Sequence, residues 1–180
     1  AVFEGHGARI DGALPLDGQT LLTWSRDATL RTWDLETGTP RETFLGHSKA
    51  VAGALLLPGG HILSWSSDRT LAVWEARTGT RLLVLRGHRG SVKGAVLLGP
   101  DRALSWSDDG TLRIWDLRLG SQLEVLHGHT RAISGVRQLP HGGLLSWSAK
   151  DKTVRLWPQA QDGTSRVLSG HAGEVGGALW

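Results

Sequence analysis

The pair Gly-His occurs at Gly5-His6, Gly46-His47, Gly87-His88, Gly128-His129 and Gly170-His171, at steps of 41, 41, 41 and 42 residues. A Trp stands eighteen positions beyond each of the first four histidines, at Trp24, Trp65, Trp106 and Trp147, and a second follows at Trp33, Trp74, Trp115 and Trp157. Between the two lie Ser25-Arg26-Asp27, Ser66-Ser67-Asp68, Ser107-Asp108-Asp109 and Ser148-Ala149-Lys150-Asp151; the extra residue of the fourth copy accounts for the step of 42. A chain written this way stacks similar units, each burying its apolar faces against its neighbours. The repeats run over 5–45, 46–86, 87–127 and 128–169, with a partial copy at 170–180, so that 1–180 reads as a single segment.

Inside each unit the pattern is that of strands. In the first copy, Ile10–Leu14 is a small apolar run that turns at Pro15–Gly18. Thr20–Ser25 is a second run, Thr29–Trp33 alternates, and Glu42–Leu45 follows the turn Glu36–Pro40. Four short strands joined by Gly, Pro and Asp turns make one antiparallel meander. No segment keeps a sustained helical apolar period. The residue two before each Gly-His glycine (Phe3, Phe44, Leu85, Leu126 or Leu168) is an apolar anchor for the outer strand.

The Gly-His pairs, the Ser-x-Asp-x-Thr stretches and the Trp33-Asp34 and Trp115-Asp116 pairs resemble the WD-repeat family over the whole chain. Glu75 and Pro158 depart from the resemblance in place of the second Asp, as does the inserted residue of the fourth copy. The resemblance implies an all-β fold: a WD-repeat β-propeller segment of four complete four-stranded antiparallel blades, with a leading strand d at Ala1–Glu4 and a trailing strand a at 173–180. The Trp-Ser variant is similar to the nearly identical, recently amplified propellers of bacteria.

The resemblance also implies a hydrogen-bonded tetrad of His, hydroxyl, turn Asp and Trp in each blade. Position by position these are His6, Thr23, Asp27 and Trp33; His47, Ser64, Asp68 and Trp74; His88, Ser105, Asp109 and Trp115; and His129, Ser146, Asp151 and Trp157. The chemistry suits them: an ionised Asp accepts an imidazole N–H, a hydroxyl relays between imidazole and indole, and a buried indole N–H needs a partner. The additional Trp of each unit neighbours the tetrad hydroxyl and so points to the opposite sheet face. Gly12, Gly53, Gly94 and Gly135 are expected to leave room for that ring between blades.

Four units with a strand at either end do not close a ring by themselves. Three arrangements stay open: further blades in a parent chain, a ring completed by a second copy, or a small ring closed by the terminal strands. The chain has no Cys, which excludes disulfides and thiolate chemistry and leaves the cytoplasm as the default compartment. No apolar run approaches the length of a membrane span, and no signal peptide is visible. The net charge of +3 is spread in single Arg and Lys residues, without the dense stripe of a nucleic-acid footprint.

The eight histidines raise metal binding, but four fall one per blade and cannot converge. His171 repeats their position, His61 and His141 fall in turns, and His127 flanks Gly128. The Ser/His/Asp sets raise hydrolysis, but a triad needs one site with an oxyanion hole, and this set recurs four times with Trp attached. Gly59-Gly60 and Gly142-Gly143 lack the Lys-Ser/Thr of a phosphate loop. No catalytic residue, metal site or cofactor is therefore assigned. The resemblance places ligands on the face of the Gly-His loops and b–c turns. That face carries Arg9, Arg26, Lys49, Arg69, Arg89, Arg131, Lys150 and Lys152 against Asp108. A basic rim of this kind expects a protein or peptide partner of acidic character. The competing expectation is the sensor end of a larger bacterial signal-transducing ATPase or kinase with its catalytic domain elsewhere.

Overall fold

The computed structural model describes residues 1–140, 142–158, 166–168, 173 and 175–177. Among them are sixteen strands in four antiparallel four-stranded sheets and no helix. The first sheet is β1 (Ile10–Pro15), β2 (Thr20–Ser25), β3 (Leu30–Asp34) and β4 (Pro40–Phe44). The second is β5 (Val51–Leu57), β6 (His61–Ser66), β7 (Thr70–Glu75) and β8 (Arg81–Arg86). The third is β9 (Val92–Gly99), β10 (Arg102–Ser107), β11 (Leu112–Asp116) and β12 (Ser121–Leu126). The fourth is β13 (Gly135–Gln138), β14 (Leu144–Ser148), β15 (Thr153–Trp157) and β16 (Arg166–Leu168). Each sheet pairs its strands in chain order, a meander, because every connection is a short turn. The first outer strand begins earlier than its apolar residues suggest: Pro40 opens β4, an edge position where its missing N–H costs no ladder bond.

The sheets are blades, and their cores lie in the seams between them. One core joins Leu22, Leu30 and Phe44 of the first blade to Val51, Ile62, Ala72 and Trp74 of the second. A second joins Leu63, Leu71 and Leu85 to Val92, Ala103 and Trp115. A third joins Leu104, Leu112 and Leu126 to Ile133, Leu144 and Trp157. None of these cores joins the fourth blade to the first, and the segment is an open, unclosed propeller.

The two terminal strands do not form among the described residues. Ala1–Glu4 runs without strand pairing, and 173 and 175–177 are likewise outside any strand; the other residues of 173–180 lie outside the described set. A strand d pairs with strand c of its own blade, and among the described residues no such strand lies beside Ala1–Glu4. Phe3 still packs edge-on against Trp33 at 6.0 Å, as Phe44 packs against Trp74 at 5.8 Å. The anchor position is therefore covered by the Trp of the following blade. Phe44, Leu85 and Leu126 are buried in this way, whereas Leu168, against which no tetrad Trp packs among the described residues, is exposed.

Each strand-a glycine sits directly across from the additional Trp of its own sheet: Gly12 from Trp24, Gly53 from Trp65, Gly94 from Trp106 and Gly135 from Trp147. A Cβ on any of these glycines would come within 2.0–2.2 Å of an indole carbon, far inside contact distance. The ring thus lies flat on its own blade's inner strand. Trp24, Trp65 and Trp106 then reach onward into the seam with the next blade.

The b–c turns share one left-handed position, filled by Ala28 (φ 71°), Arg69 (φ 75°), Gly110 (φ 77°) and Lys152 (φ 62°). Only the third blade uses the residue that adopts this conformation without strain. Arg69→Gly is expected to raise stability by about 0.5–1 kcal/mol, the relief of strain exceeding the added unfolded-chain entropy. A urea unfolding midpoint at or below that of the parent would contradict this.

Candidate functional site

Each blade carries one polar chain, set on four elements that the meander brings together. The loop between blades supplies the His, strand b the hydroxyl, the b–c turn the Asp and strand c the Trp. His Nδ1 stands 2.8, 2.8, 2.9 and 2.7 Å from Asp27, Asp68, Asp109 and Asp151 in turn. His Nε2 lies 2.8 Å from Thr23, Ser64, Ser105 and Ser146. Trp33, Trp74, Trp115 and Trp157 each donate Nε1–H to the same hydroxyl oxygen at 2.8 Å. An ionised carboxylate only accepts, so the imidazole carries its proton on Nδ1, and the neutral ring then accepts at Nε2. The chain then runs one way: indole N–H to hydroxyl, hydroxyl O–H to imidazole, imidazole N–H to carboxylate. The fourth blade absorbs its inserted residue in the turn at Ala149-Lys150. Asp151 N–H reaches back three residues to Ser148, where the other turns span two.

Several partners of this chain are not visible in the Gly-His and Trp spacing. Thr29, Thr70, Thr111 and Thr153 donate their hydroxyls to the second oxygen of the turn Asp at 2.7, 2.6, 2.7 and 2.7 Å. The backbone N–H after the His donates to the first oxygen: Gly7, Ser48, Arg89 and Thr130. Ser25 and Ser66 are wholly buried and donate to loop carbonyls of Ala8 and Arg9, or Lys49 and Ala50. The repeated Ser and Thr positions carried that signal, but a hydroxyl in a turn is so common that spacing alone does not single it out.

A guanidinium also recurs beside each Gly-His glycine. Arg31, Arg113 and Arg155 stand across the sheet from the tetrad hydroxyls Thr23, Ser105 and Ser146. Their Nη1 atoms would meet a Cβ on Gly5, Gly87 and Gly128 at 2.9, 2.7 and 2.5 Å. In the second blade Ala72 takes that strand-c place, and Arg81 of strand d brings its Nη1 to Gly46 instead, donating to the Gly46 carbonyl at 3.0 Å.

The turn carboxylates hold their protons weakly. Burial works against ionisation of Asp68, but hydrogen bonds from Thr70, the Ser48 N–H and His47 outweigh it and hold its pKa below 3.8. Burial is likewise outweighed at Asp27, Asp109 and Asp151, where the same kinds of donor lower the value. For His47 and His129 burial is the largest influence and lowers the pKa below 6.5, against the raising effect of Asp68 and Asp151. Both shifts are depressions, so each group's contribution is complete above its unfolded value and fades as pH falls. Stability is expected to decline first as pH drops below about 6.5, when the unfolded histidines take protons that the folded ones refuse. A second decline begins below about 3.8, where the carboxylates follow. Urea midpoints from pH 8 to 3 check this; a midpoint flat between pH 7 and 5 would contradict the histidine step.

All eight basic residues of the rim are exposed. They differ in what they face. Arg9 and Arg26 both reach Asp11 at 3.0 Å, an acid not counted from the sequence. Asp108 is engaged by Lys93 at 3.0 Å, a further basic residue of the same face. Lys49, Arg69, Arg89, Arg131 and Lys150 have no carboxylate within ion-pair distance among the described residues. Lys152 is exposed at the left-handed turn position. Elsewhere His61 lies 3.6 Å from Glu75, and His127 is exposed; His141 and His171 lie outside the described residues. Among the described residues no three His, Asp or Glu side chains gather as metal ligands, and no helix is long and apolar enough to cross a membrane.

A family model described as "WD domain, G-beta repeat" matches residues 79–116 and 120–158. Each matched segment takes strand d of one blade with strands a to c of the next, so the sequence unit is offset from the blade. No curated protein matches the chain. The fold is similar to a solved structure described as "Structure of U3-55K", at 24% identity and a TM-score of 0.80, over 97% of this chain and 56% of that one. It is similar also to "Crystal structure of RRP9 WD40 repeats", at 24% identity and a TM-score of 0.81, over 97% and 55%. The chain thus spans about half the length of these solved structures. Together the sequence match and the fold support a WD-repeat propeller.

Proposed function

We propose that this segment is a binding scaffold whose loop-bearing rim takes a protein or peptide segment rich in acidic side chains. The observation that carries the reading is the uneven pairing of the rim. Blade one neutralises its two rim arginines on Asp11, while five basic side chains of blades two to four face solvent without an acid among the described residues. Cations held on rigid turns with no internal partner attract a complementary chain at little conformational cost. The tetrads serve the scaffold. Their His, hydroxyl and Asp copy the order of a hydrolytic triad, but Ser64, Ser105 and Ser146 have no exposed surface, and each accepts an indole N–H. Ring closure by further blades, or by another copy, completes the scaffold in this reading, with the cytoplasm as its setting.

The test is binding of a labelled hexaglutamate peptide to the full chain and to charge-reversed variants. Arg69→Glu with Lys150→Glu is expected to weaken binding about tenfold or more at low salt, whereas Arg26→Glu, whose charge Asp11 already meets, changes it less than threefold. Equal binding by all three proteins would remove the proposal.

A further inference from the structure

The second blade differs from its three sisters at the strand-c position opposite the tetrad hydroxyl, and the difference opens a space. Where Arg31, Arg113 and Arg155 fill the outer groove beside the Gly-His loop, strand c of the second blade has Ala72, fully covered but small. The guanidinium position over Gly46 is filled from strand d by Arg81, which lies over the Trp74 ring at 6.0 Å. The arginine stem that crosses the groove in the other blades is absent here. In its stead is a cavity of about 180 Å³ lined by Gly46, His47, Ser48, Ala72, Arg81 and Arg86, with Asp68, Thr70 and Val84 at its inner wall.

We propose that this slot of the second blade is a recognition pocket for a single carboxylate side chain, the anchoring Asp or Glu of the acidic segment that the rim takes. It rests on the preceding reading of the rim and names the residues that would receive one of the segment's side chains. Size limits the occupant. At roughly 30 Å³ for each water displaced, the slot holds about six waters, room for one side-chain head and too little for a nucleotide. Charge selects within that size. Arg81 spends one Nη1 hydrogen on the Gly46 carbonyl and keeps its remaining N–H groups; Arg86 is exposed beside it. Two guanidiniums at a concave site suit a carboxylate, which they bind in a forked geometry. Asp68, whose oxygens are already taken by His47, Ser48 and Thr70, adds a fixed negative charge at the inner wall. A monoanion leaves the slot near neutrality, and a doubly charged phosphate overshoots it. The slot adjoins the loop bearing Lys49, so an acidic chain lying along the rim reaches it without a bend through the scaffold.

The sister blades supply the test variant. Ala72→Arg with Arg81→Pro gives the second blade the pair found in the first, Arg31 and Pro40, and fills the slot with a side chain that the same backbone already accepts. Hexaglutamate binding to the full chain is expected to weaken at least tenfold in this variant, with a melting temperature within a few degrees of the parent. Arg86→Gln, an exposed change, should weaken binding at least threefold and serves where the double variant fails to fold. Parent-like binding by a folded slot variant, with loss in the Arg69→Glu/Lys150→Glu protein, would overturn the slot and leave the rim standing. Parent-like binding in both would overturn both. Inorganic phosphate displacing hexaglutamate from the parent more effectively than free glutamate at equal concentration would overturn the carboxylate assignment.

Discussion

Asp68→Ala is expected to destabilise the chain by about 3 kcal/mol, and Asp34→Ala far less, although both aspartates stand at turns beside strand c and both accept backbone N–H groups. The difference lies in what is left behind. Asp34 is solvent-facing and accepts from Glu36, Thr37 and Arg41, all of which find water once it is gone. Asp68 accepts from the buried His47 ring, from the Ser48 N–H and from both donors of Thr70. Without it the Nδ1–H of a ring that is 1% exposed at its side chain keeps only the Thr70 hydroxyl at 3.3 Å, a longer and uncharged acceptor, and the one-way order through Ser64 to Trp74 loses its carboxylate terminus. Ser64→Thr, by contrast, should cost little, since Thr23 holds the same post in the first blade. Urea unfolding of the three variants checks the order; equal losses for Asp68→Ala and Asp34→Ala would show that the polar chain adds nothing beyond an ordinary turn.

Gly53→Leu is expected to cost 3 kcal/mol or more, or to leave the chain unfolded. The Trp65 ring already lies where a Cβ would go, so the new side chain and the ring exclude one another, and the ring is held on its other side by the seam to the third blade. The conflict is pairwise, which gives it a signature. Gly53→Ala alone should cost about 2 kcal/mol, and Gly53→Ala with Trp65→Val much less than the sum of the two single changes. Additive losses, or a melting temperature of Gly53→Leu equal to the parent's, would mean that the ring sits elsewhere. Trp24, Trp65 and Trp106 also leave their indole N–H groups without a hydrogen-bond partner among the described residues. Their contribution is therefore one of area and fit rather than polar bonding.

The repeat made the strands, the blades and the polar chain legible, because a period near forty residues admits few architectures and each copy checks the others. Four things escaped it, for identifiable reasons. Pro40 reads as a turn residue, and only the edge position of β4 shows that its missing donor is harmless. Leu168 reads as core, yet burial of that anchor is decided by a Trp one blade further on. The rim reads as eight equivalent cations, but Asp11 lies fifteen residues before Arg26, and their pairing exists only across the turn. The exchange between Ala72 and Arg81 is the subtlest: two unremarkable residues nine positions apart matter only because strands c and d lie side by side.

The fourth b–c turn has a longer meaning. An additional residue loops out at Ala149-Lys150, yet Asp151 stands 2.7 Å from His129, as close as its shorter counterparts manage. The crossover from strand b to strand c therefore tolerates lengthening without disturbing what lies beneath it. Since all four such crossovers emerge on one side, that side can be rewritten loop by loop while the supporting lattice stays untouched. Loop length and blade architecture are thereby set by separate letters of the same forty-residue word.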